Sequence, residues 1–128
     1  MIVRSLDDIR GTEFDVSGSG WTSRRILVAD DGLGYSLHDT VIQAGAELTL
    51  EYKHHLEACY CISGSGEIVA HSDEVVHSLQ PFTVYALEQH DLHTVRAHED
   101  LRLVCVFNPA LSGREVHRED GSFPPADE

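Results

Sequence analysis

The chain has 128 residues, of which 22 are acidic and 9 are basic, and a formal net charge of -13. This length suffices for a single domain, which we expect to span residues 1–128, and no stretch approaches the roughly 20 apolar residues needed to cross a bilayer. The acidic balance repels phosphate backbones and anionic lipids, so we expect neither nucleic acid nor membrane partners.

The cellular location is predicted from the N-terminus and the cysteines. The first ten residues, MIVRSLDDIR, lack the apolar core of a signal peptide. The odd count of three cysteines, Cys59, Cys61 and Cys105, favours reduced thiols. The sequence therefore predicts a cytoplasmic protein.

The predicted elements are almost all strands. Near the start, SLDDIR is the one fair helix candidate, with Ser5 as N-cap and Asp8 three residues later. Nine short segments follow with alternating or β-branched residues, namely SRRILVAD, YSLHDTVIQ, ELTLEY, EACYCISG, GEIVAH, EVVHSL, TVYALE, HTVRAH and LRLVCVFN. The stretch SGSGE between two of them predicts a hairpin turn. Strands at this spacing predict an all-β sandwich or small barrel.

The last part of the chain differs in composition. From about residue 113 to 128 it is rich in charge, proline and glycine, and it ends in PPADE. We expect a C-terminal tail that is partly flexible and that closes over the barrel as a lid.

Side-chain alternation assigns residues to strand faces. In EACYCISG, Glu57, Cys59 and Cys61 share one face, so an inward Glu57 would enter a cavity that both cysteines line. A buried carboxylate is costly unless it is paired, protonated or bound to a metal. From the residues alone, Glu57 is either a metal ligand or a surface carboxylate on an edge strand, and His54 and His55 are competing ligands.

Two further strands carry candidate side chains. Tyr85 shares a face with Thr83 and Leu87, and Cys105 shares a face with Phe107. A tyrosine that packs in the core and a small buried thiol are the ordinary interpretations of such residues.

The spacing of the chain resembles the cupin family, whose members are small jelly-roll barrels with an internal metal site. In the first cupin motif, the two glycines and the glutamate are in register as Gly45, Glu57 and Gly64, but other residues fill the two histidine positions. In the second motif only the histidine, His93, is retained. The resemblance implies a cupin-type jelly-roll barrel in which two of the usual ligands are kept.

A narrower resemblance covers nearly the whole chain. The blocks MIVRSL, HHLEACYCISGSGEI, LEQHDLH and LVCVFNPALSGREVH, followed by DGSFP, are similar to the ectoine synthase family. That family closes N4-acetyl-2,4-diaminobutyrate into the cyclic osmolyte ectoine with loss of water. The resemblance therefore implies a cyclising hydro-lyase of compatible-solute biosynthesis. One departure is Phe82, where the family usually has Gly before its Thr.

The same resemblance implies a metal centre. The iron of the family is held by a Glu, a Tyr and a His, and the matching positions are Glu57, Tyr85 and His93. A carboxylate, a phenolate and an imidazole suit Fe(II) and also Zn(II), so only the resemblance selects Fe(II).

The resemblance also implies how the substrate is held and which groups move protons. Arg24 would bind the substrate carboxylate through a bidentate fork, and Arg25 is the competing choice. Glu115 would accept the proton of the 2-amino group as general base, and His117 would orient that amine. Tyr52 joins these two as the third residue predicted to act in catalysis.

The remaining predicted substrate contacts come from both polar and apolar side chains. Thr40 and Tyr52 offer hydroxyls, Trp21 and Phe107 offer apolar walls, and Cys105 offers a thiol. His55 would donate a hydrogen bond to Glu57 or to the substrate.

Two other functions stay open at this point. A cupin oxygenase would draw a histidine-rich site from His54, His55, His90 and His93, although the two-histidine, one-carboxylate pattern is not in register. A non-enzymatic cupin would bind a small molecule without turnover. Family resemblance also implies a homodimer, since cupin barrels often pair through edge strands.

Overall fold

The computed structural model of the protein describes residues 1–116. In this part the chain forms two single 3-10 turns, Leu6–Asp8 and Ala29–Asp31, and ten strands. The strands are β1 (Asp15–Gly18), β2 (Trp21–Leu27), β3 (Ser36–Ile42), β4 (Glu47–Leu50), β5 (Leu56–Ser63), β6 (Gly66–Ala70), β7 (Val76–Leu79), β8 (Val84–Leu87), β9 (His93–Ala97) and β10 (Leu101–Asn108). The predicted all-β fold is confirmed. No helix within residues 1–116 is long and apolar enough to cross a membrane.

The strands form two antiparallel sheets. One has six strands in the order β1-β2-β3-β10-β5-β8, and the other has four in the order β4-β9-β6-β7. Inward side chains of both sheets form one core, which contains Ile42, Tyr52, Cys59, Cys61, Ile68, Leu79, Leu87, Val95, Ala97, Leu101, Leu103, Cys105, Phe107 and Leu111. Removing this apolar surface from water, at about 25 cal/mol per Å², holds the sheets together.

The nine predicted strand segments correspond to β2 through β10, with ends that differ by a few residues. The sequence analysis did not find β1. Its four residues, DVSG, lack an apolar alternation, and the strand pairs only with β2 at the edge of the six-stranded sheet. An edge strand has one bonded neighbour and needs less apolar patterning than a central one.

The predicted N-terminal helix is only a single 3-10 turn. The Ser5 amide does donate to the Asp8 carboxylate at 2.8 Å, as the cap pattern predicts. However, none of the three residues of the turn is buried. Without an apolar face packed on the core, a second turn gains too little to form.

The predicted hairpin at SGSGE is wrong. β5 pairs with β10 and β8, whereas β6 pairs with β7 and β9, so the connection carries the chain from one sheet to the other. Gly64 has a φ of 89° in this connection, and a side chain there would collide with the carbonyl of Asp100. The glycine allows two loops to approach closely at a corner of the barrel.

Candidate active site

A cavity of about 40 Å³ lies between the inner faces of the two sheets. Its walls mix aromatic, aliphatic and polar groups, namely Trp21, Ser23, His38, Thr40, Ile42, Leu48, Leu50, Tyr52, Glu57, Cys59, Tyr85, Leu103, Cys105 and Phe107. Mostly apolar walls with a few convergent polar groups are typical of small-molecule sites.

Glu57 is the one carboxylate that lines this cavity within residues 1–116. It lies on β5, opposite Phe107 of β10 and Leu87 of β8, and its side chain points inward as the alternation predicts. Burial raises the pKa of the Glu57 carboxyl to about 7, although the nearby thiols of Cys59 and Cys105 act in the opposite direction. The ionised form of Glu57 is therefore costly unless a positive charge lies beside it.

His93 brings an imidazole from the other sheet, at the start of β9. The residue is fully buried. Its Nδ1 donates to the carbonyl oxygen of Asp91 at 2.9 Å, and its Nε2 has no hydrogen-bond partner in the described part of the chain. A protonated Nδ1 leaves a lone pair on Nε2, which is the arrangement of a metal-ligating histidine.

Tyr85 lies on β8 opposite Cys59 and lines the cavity. Its ring centroid is 6.4 Å from that of His93, and the ring of Tyr52 is 6.0 Å from His93 on another side. Burial raises the pKa of the Tyr85 hydroxyl well above its ordinary value. Tyr85 is therefore a neutral phenol unless a cation draws off its proton.

The residues present fit a metal centre. Adjacent strands of one sheet supply Glu57 and Tyr85, and the other sheet supplies His93. The unpartnered Nε2 of His93 is the strongest observation, because buried ring nitrogens without a partner are rare in folded proteins. His93 is not among the residues that line the cavity, and it lies beside the rings of Tyr52 and Tyr85 that do.

The structure separates the two neighbouring arginines of β2. Arg24 lies on the outer face, where its Nη2 donates to the Asp39 carboxylate at 2.8 Å and its Nε donates to the Asp39 carbonyl. Arg25 lies on the inner face and is fully buried. Its Nε donates to the hydroxyl of Ser23, a cavity residue, at 2.8 Å. Arg25, rather than the predicted Arg24, is thus placed beside the cavity.

Glu115 is buried at the start of the predicted tail. One carboxylate oxygen accepts the Ser112 amide at 2.7 Å and the other accepts the Gly113 amide at 2.8 Å. Arg25 Nη1 donates to the carbonyl of Gly113 at 3.0 Å, so this segment is tied to the inner face of β2. The predicted partner of Glu115, His117, lies outside the described residues, as does most of the predicted tail.

The other predicted contacts, Trp21, Thr40, Tyr52, Cys105 and Phe107, all line the cavity. The sequence analysis missed Ser23 and His38, which also line it. His38 is buried, and its Nε2 lies 3.0 Å from the Ser36 hydroxyl. The signal was available, because His38 lies two residues before Thr40 on β3 and alternation places them on the same face.

The histidines of the oxygenase alternative differ in their exposure. His54 and His90 are exposed, whereas His55 and His93 are buried. The Nδ1 atom of His90 donates to the carbonyl oxygen of Tyr52 at 2.7 Å. Both ring nitrogens of His55 lack a hydrogen-bond partner among residues 1–116, and its ring meets Phe107 edge-on at 6.0 Å. His55 therefore has hydrogen-bonding capacity to offer to a bound molecule.

Comparisons with known proteins point to one family. The family model described as ectoine synthase matches residues 1–127. The L-ectoine synthase of Desulfatibacillum aliphaticivorans is 56% identical over 100% of this chain and 100% of its own. The crystal structure of ectoine synthase from P. lautus has a TM-score of 0.88 at 48% identity, covering 94% of this chain and 87% of that one.

A more distant match concerns the fold alone. A cupin 2 domain-containing protein from Halorhodospira halophila has a TM-score of 0.62 at 21% identity, covering 78% of this chain and 70% of that one. The two-sheet barrel is therefore a cupin fold. Since the family model spans nearly the whole chain and a full-length relative is more than half identical to it, the chain belongs to the ectoine synthase family of hydro-lyases.

Proposed function

We propose that the cavity binds N4-acetyl-2,4-diaminobutyrate and closes it into ectoine. The 2-amino nitrogen attacks the acetyl carbonyl carbon, a C–N bond forms, and the former carbonyl oxygen leaves with two protons as water. The observation that carries this assignment is the buried, unpartnered Nε2 of His93 beside the cavity that Glu57 and Tyr85 line. An enclosed apolar cavity also limits back-hydrolysis of the cyclic product, because it excludes bulk water.

Enzymes of this family generally depend on a metal, and we propose that Glu57, Tyr85 and His93 hold Fe(II) here, with Zn(II) as the alternative. When bound, such a cation supplies Lewis-acid polarisation of the amide oxygen. The two oxygen donors and one imidazole nitrogen suit either ion. Burial raises the pKa of both Glu57 and Tyr85, and each would be deprotonated as a ligand of the cation.

Arg25 takes the role that the sequence assigned to Arg24. Its guanidinium lies behind the Ser23 hydroxyl, which lines the cavity, and the negative charge of Glu115 favours its charged form. Desolvation lowers the pKa of Arg25 to about 10, so it remains a cation at neutral pH. The substrate carboxylate would add a second negative partner to this buried cation, beside that of Glu115.

Protons are moved by Glu115 and Tyr52 in this proposal, with His117 orienting the amine. The amides of Ser112 and Gly113 donate to the two carboxylate oxygens of Glu115 and fix the orientation of this side chain. Burial raises the pKa of the Tyr52 hydroxyl well above its ordinary value, so Tyr52 stays protonated and donates to the leaving oxygen. The tail from residue 113 would close over this end of the barrel.

The substrate chain is held between the remaining walls. Trp21 and Phe107 enclose its methylene groups, and Thr40 and Cys105 offer polar contacts along the same wall. Holding the flexible molecule bent, with amine and carbonyl in contact, supplies part of the rate, since aligned intramolecular reactions gain several kcal/mol.

We also propose a homodimer and a cytoplasmic location. The outer face of the six-stranded sheet exposes Leu56 and Tyr60 of β5 and Val84 of β8, and a second copy of the chain would cover them. The three free cysteines are in keeping with a reducing compartment.

The activity is tested with purified protein loaded anaerobically with Fe(II). Incubation with N4-acetyl-2,4-diaminobutyrate should yield ectoine, measured by NMR or chromatography. Glu57→Ala should lose both bound iron and turnover, and the absence of product from the loaded wild-type protein would overturn the proposal.

His77→Ala is the matched control for His93→Ala. His77 is an exposed histidine of β7, on the edge of the four-stranded sheet, whereas His93 is buried in β9 of the same sheet. His93→Ala should lose iron while keeping its circular dichroism spectrum, and His77→Ala should keep both iron and turnover. Equal iron content in the two variants would remove His93 from the proposed site.

A further inference from the structure

A second group of metal-ligating atoms lies in the wall of the cavity. The ligand atoms of Glu57, Cys59 and Cys105 all lie within 4.8 Å of one another, and all three residues are buried. Cys59 of β5 lies directly opposite Cys105 of β10, so both thiols project from the same face of the sheet. All three residues line the cavity, which gives an ion a path to them.

The separation of the two sulfur atoms distinguishes between two kinds of thiol chemistry. Cys59 Sγ and Cys105 Sγ are 3.4 Å apart. A disulfide bond would require them to approach to about 2.05 Å. Two thiolates on one tetrahedral Zn(II), with Zn–S distances of about 2.3 Å, lie about 3.8 Å apart. Metal ligation therefore needs a much smaller movement of these side chains than oxidation does.

The donor atoms of this group select different metals from those of Glu57, Tyr85 and His93. Two thiolates and one carboxylate are soft-to-borderline ligands, which favour Zn(II) and Cd(II) over harder ions. Three protein ligands also leave one tetrahedral position open toward the cavity for water. The third cysteine, Cys61, does not belong to this group, because its thiol donates to the Ser63 carbonyl and does not line the cavity.

We propose that Glu57, Cys59 and Cys105 form a second metal site, for a thiophilic divalent cation such as Zn(II) or Cd(II). The cation displaces one proton from each thiol, and the proton of Glu57 where its carboxyl group is protonated, to solvent, and two thiolates and one carboxylate then surround it. The site shares Glu57 with the proposed iron ligands, so one chain holds either ion but not both. This inference goes beyond the proposed function, because it requires neither Tyr85 nor His93.

The test uses Cd(II), because thiolate ligation gives cadmium an ultraviolet charge-transfer absorption that oxygen and nitrogen ligands do not. Metal-free, full-length protein is titrated with CdCl₂ in a buffer that contains a phosphine reductant, which keeps the thiols reduced. The band should grow to saturation at one Cd(II) per chain. The double variant Cys59→Ala/Cys105→Ala should lose the band, and Cys61→Ala, which removes an equally buried thiol of the same strand, should keep it. Absence of the band from the wild-type protein, or its retention in the double variant, would overturn the site.

A second arm separates this site from the proposed iron centre. His93→Ala should retain the cadmium band, since His93 is not a ligand of the thiol group, even though it should lose Fe(II). Protein preloaded with Fe(II), treated with one equivalent of Cd(II) and desalted should contain one metal ion per chain by mass spectrometry. Loss of the cadmium band in His93→Ala would contradict a thiol site that does without His93. One Fe(II) and one Cd(II) in the same chain would contradict the sharing of Glu57.

Discussion

Glu57 shows how one buried side chain prepares the cavity for a cation. A pKa of about 7 for a carboxyl group whose ordinary value is 4.5 means that its charge is poorly solvated. At roughly 1.4 kcal/mol per pKa unit, ionising Glu57 costs the metal-free protein about 3.5 kcal/mol more than ionising an exposed glutamate. A bound cation would offset this cost, which is consistent with the proposed role of Glu57 as a metal ligand.

The two arginines of β2 allow the substrate-binding proposal to be tested at one position. Arg25→Lys keeps a positive charge but loses the planar fork that matches a carboxylate. We expect KM for N4-acetyl-2,4-diaminobutyrate to rise about ten- to a hundredfold, with a smaller fall in kcat, because the interaction is present in both the bound substrate and the transition state. Steady-state kinetics of ectoine formation measure both constants.

The comparison variants are Arg24→Lys and Arg102→Lys. Both arginines donate to the Asp39 carboxylate on the outer face of the six-stranded sheet, at 2.8 Å and 2.7 Å. Their KM values should stay within about twofold of the wild type, because neither side chain reaches the cavity. A larger KM change in Arg24→Lys than in Arg25→Lys would support Arg24, the residue predicted from the sequence, as the one that binds the substrate carboxylate.

The two arginines of β2 show how far strand alternation predicts which face a side chain occupies. Within β5, alternation alone correctly put Glu57, Cys59 and Cys61 on one face, and the structure shows that this face is buried. The same rule gives Arg25 the face of Trp21 and Ser23, but the family resemblance pointed to its neighbour. The free Nε2 of His93 had no signal in the sequence, because it depends on a hydrogen bond to the Asp91 carbonyl that only the folded loop forms.

The turn before β8 contains a residue in an unfavourable backbone conformation. Phe82 has a φ of 75°, in the left-handed region that favours glycine, and its ring is 76% exposed. Its amide donates to the Cys61 carbonyl at 2.7 Å, and the next amide, of Thr83, donates to the Gln80 carbonyl. These two hydrogen bonds hold the turn in place although a side chain with a Cβ atom is strained there by about 1–2 kcal/mol.

Phe82→Gly should therefore stabilise the protein. Relief of the left-handed strain exceeds the extra entropy that glycine loses on folding, so we expect the free energy of unfolding to rise by about 0.5–1 kcal/mol. Thermal unfolding should show this as an increase in Tm of about 2–6 °C. Phe82→Ala removes the same exposed ring but keeps a Cβ atom, so its Tm should not rise. An equal gain in both variants would attribute the effect to the ring instead of the backbone.

Strand positions were easier to predict than strand partners. Local alternation located β2 through β10, because each strand buries one face whatever lies beside it. The partners of β5 are far away in the chain, and nothing in SGSGE distinguishes a hairpin from a crossing between sheets. That crossing matters for the site, because it places His93 on the sheet opposite Glu57 and Tyr85.

The six-stranded sheet is apolar on both of its faces at one edge. Its inner face carries the cavity, and its outer face presents Leu56, Tyr60 and Val84, of which Val84 is 60% exposed. β8, which carries Val84, is an edge strand of the sheet. A contiguous apolar patch on an exposed sheet face marks an interaction surface, and two copies of one patch can cover each other about a twofold axis.

Val84→Lys should convert the proposed dimer to a monomer, because each copy would bring a charge into the apolar contact, where no partner neutralises it. Size-exclusion chromatography with light scattering measures the mass directly. Val76→Lys is the matched control, since Val76 is similarly exposed, at 53%, on the edge strand β7 of the other sheet. It should leave the mass unchanged, and both variants should keep the wild-type circular dichroism spectrum. A monomeric wild-type protein would rule out the proposed dimer. Dissociation by Val76→Lys but not by Val84→Lys would place the interface elsewhere.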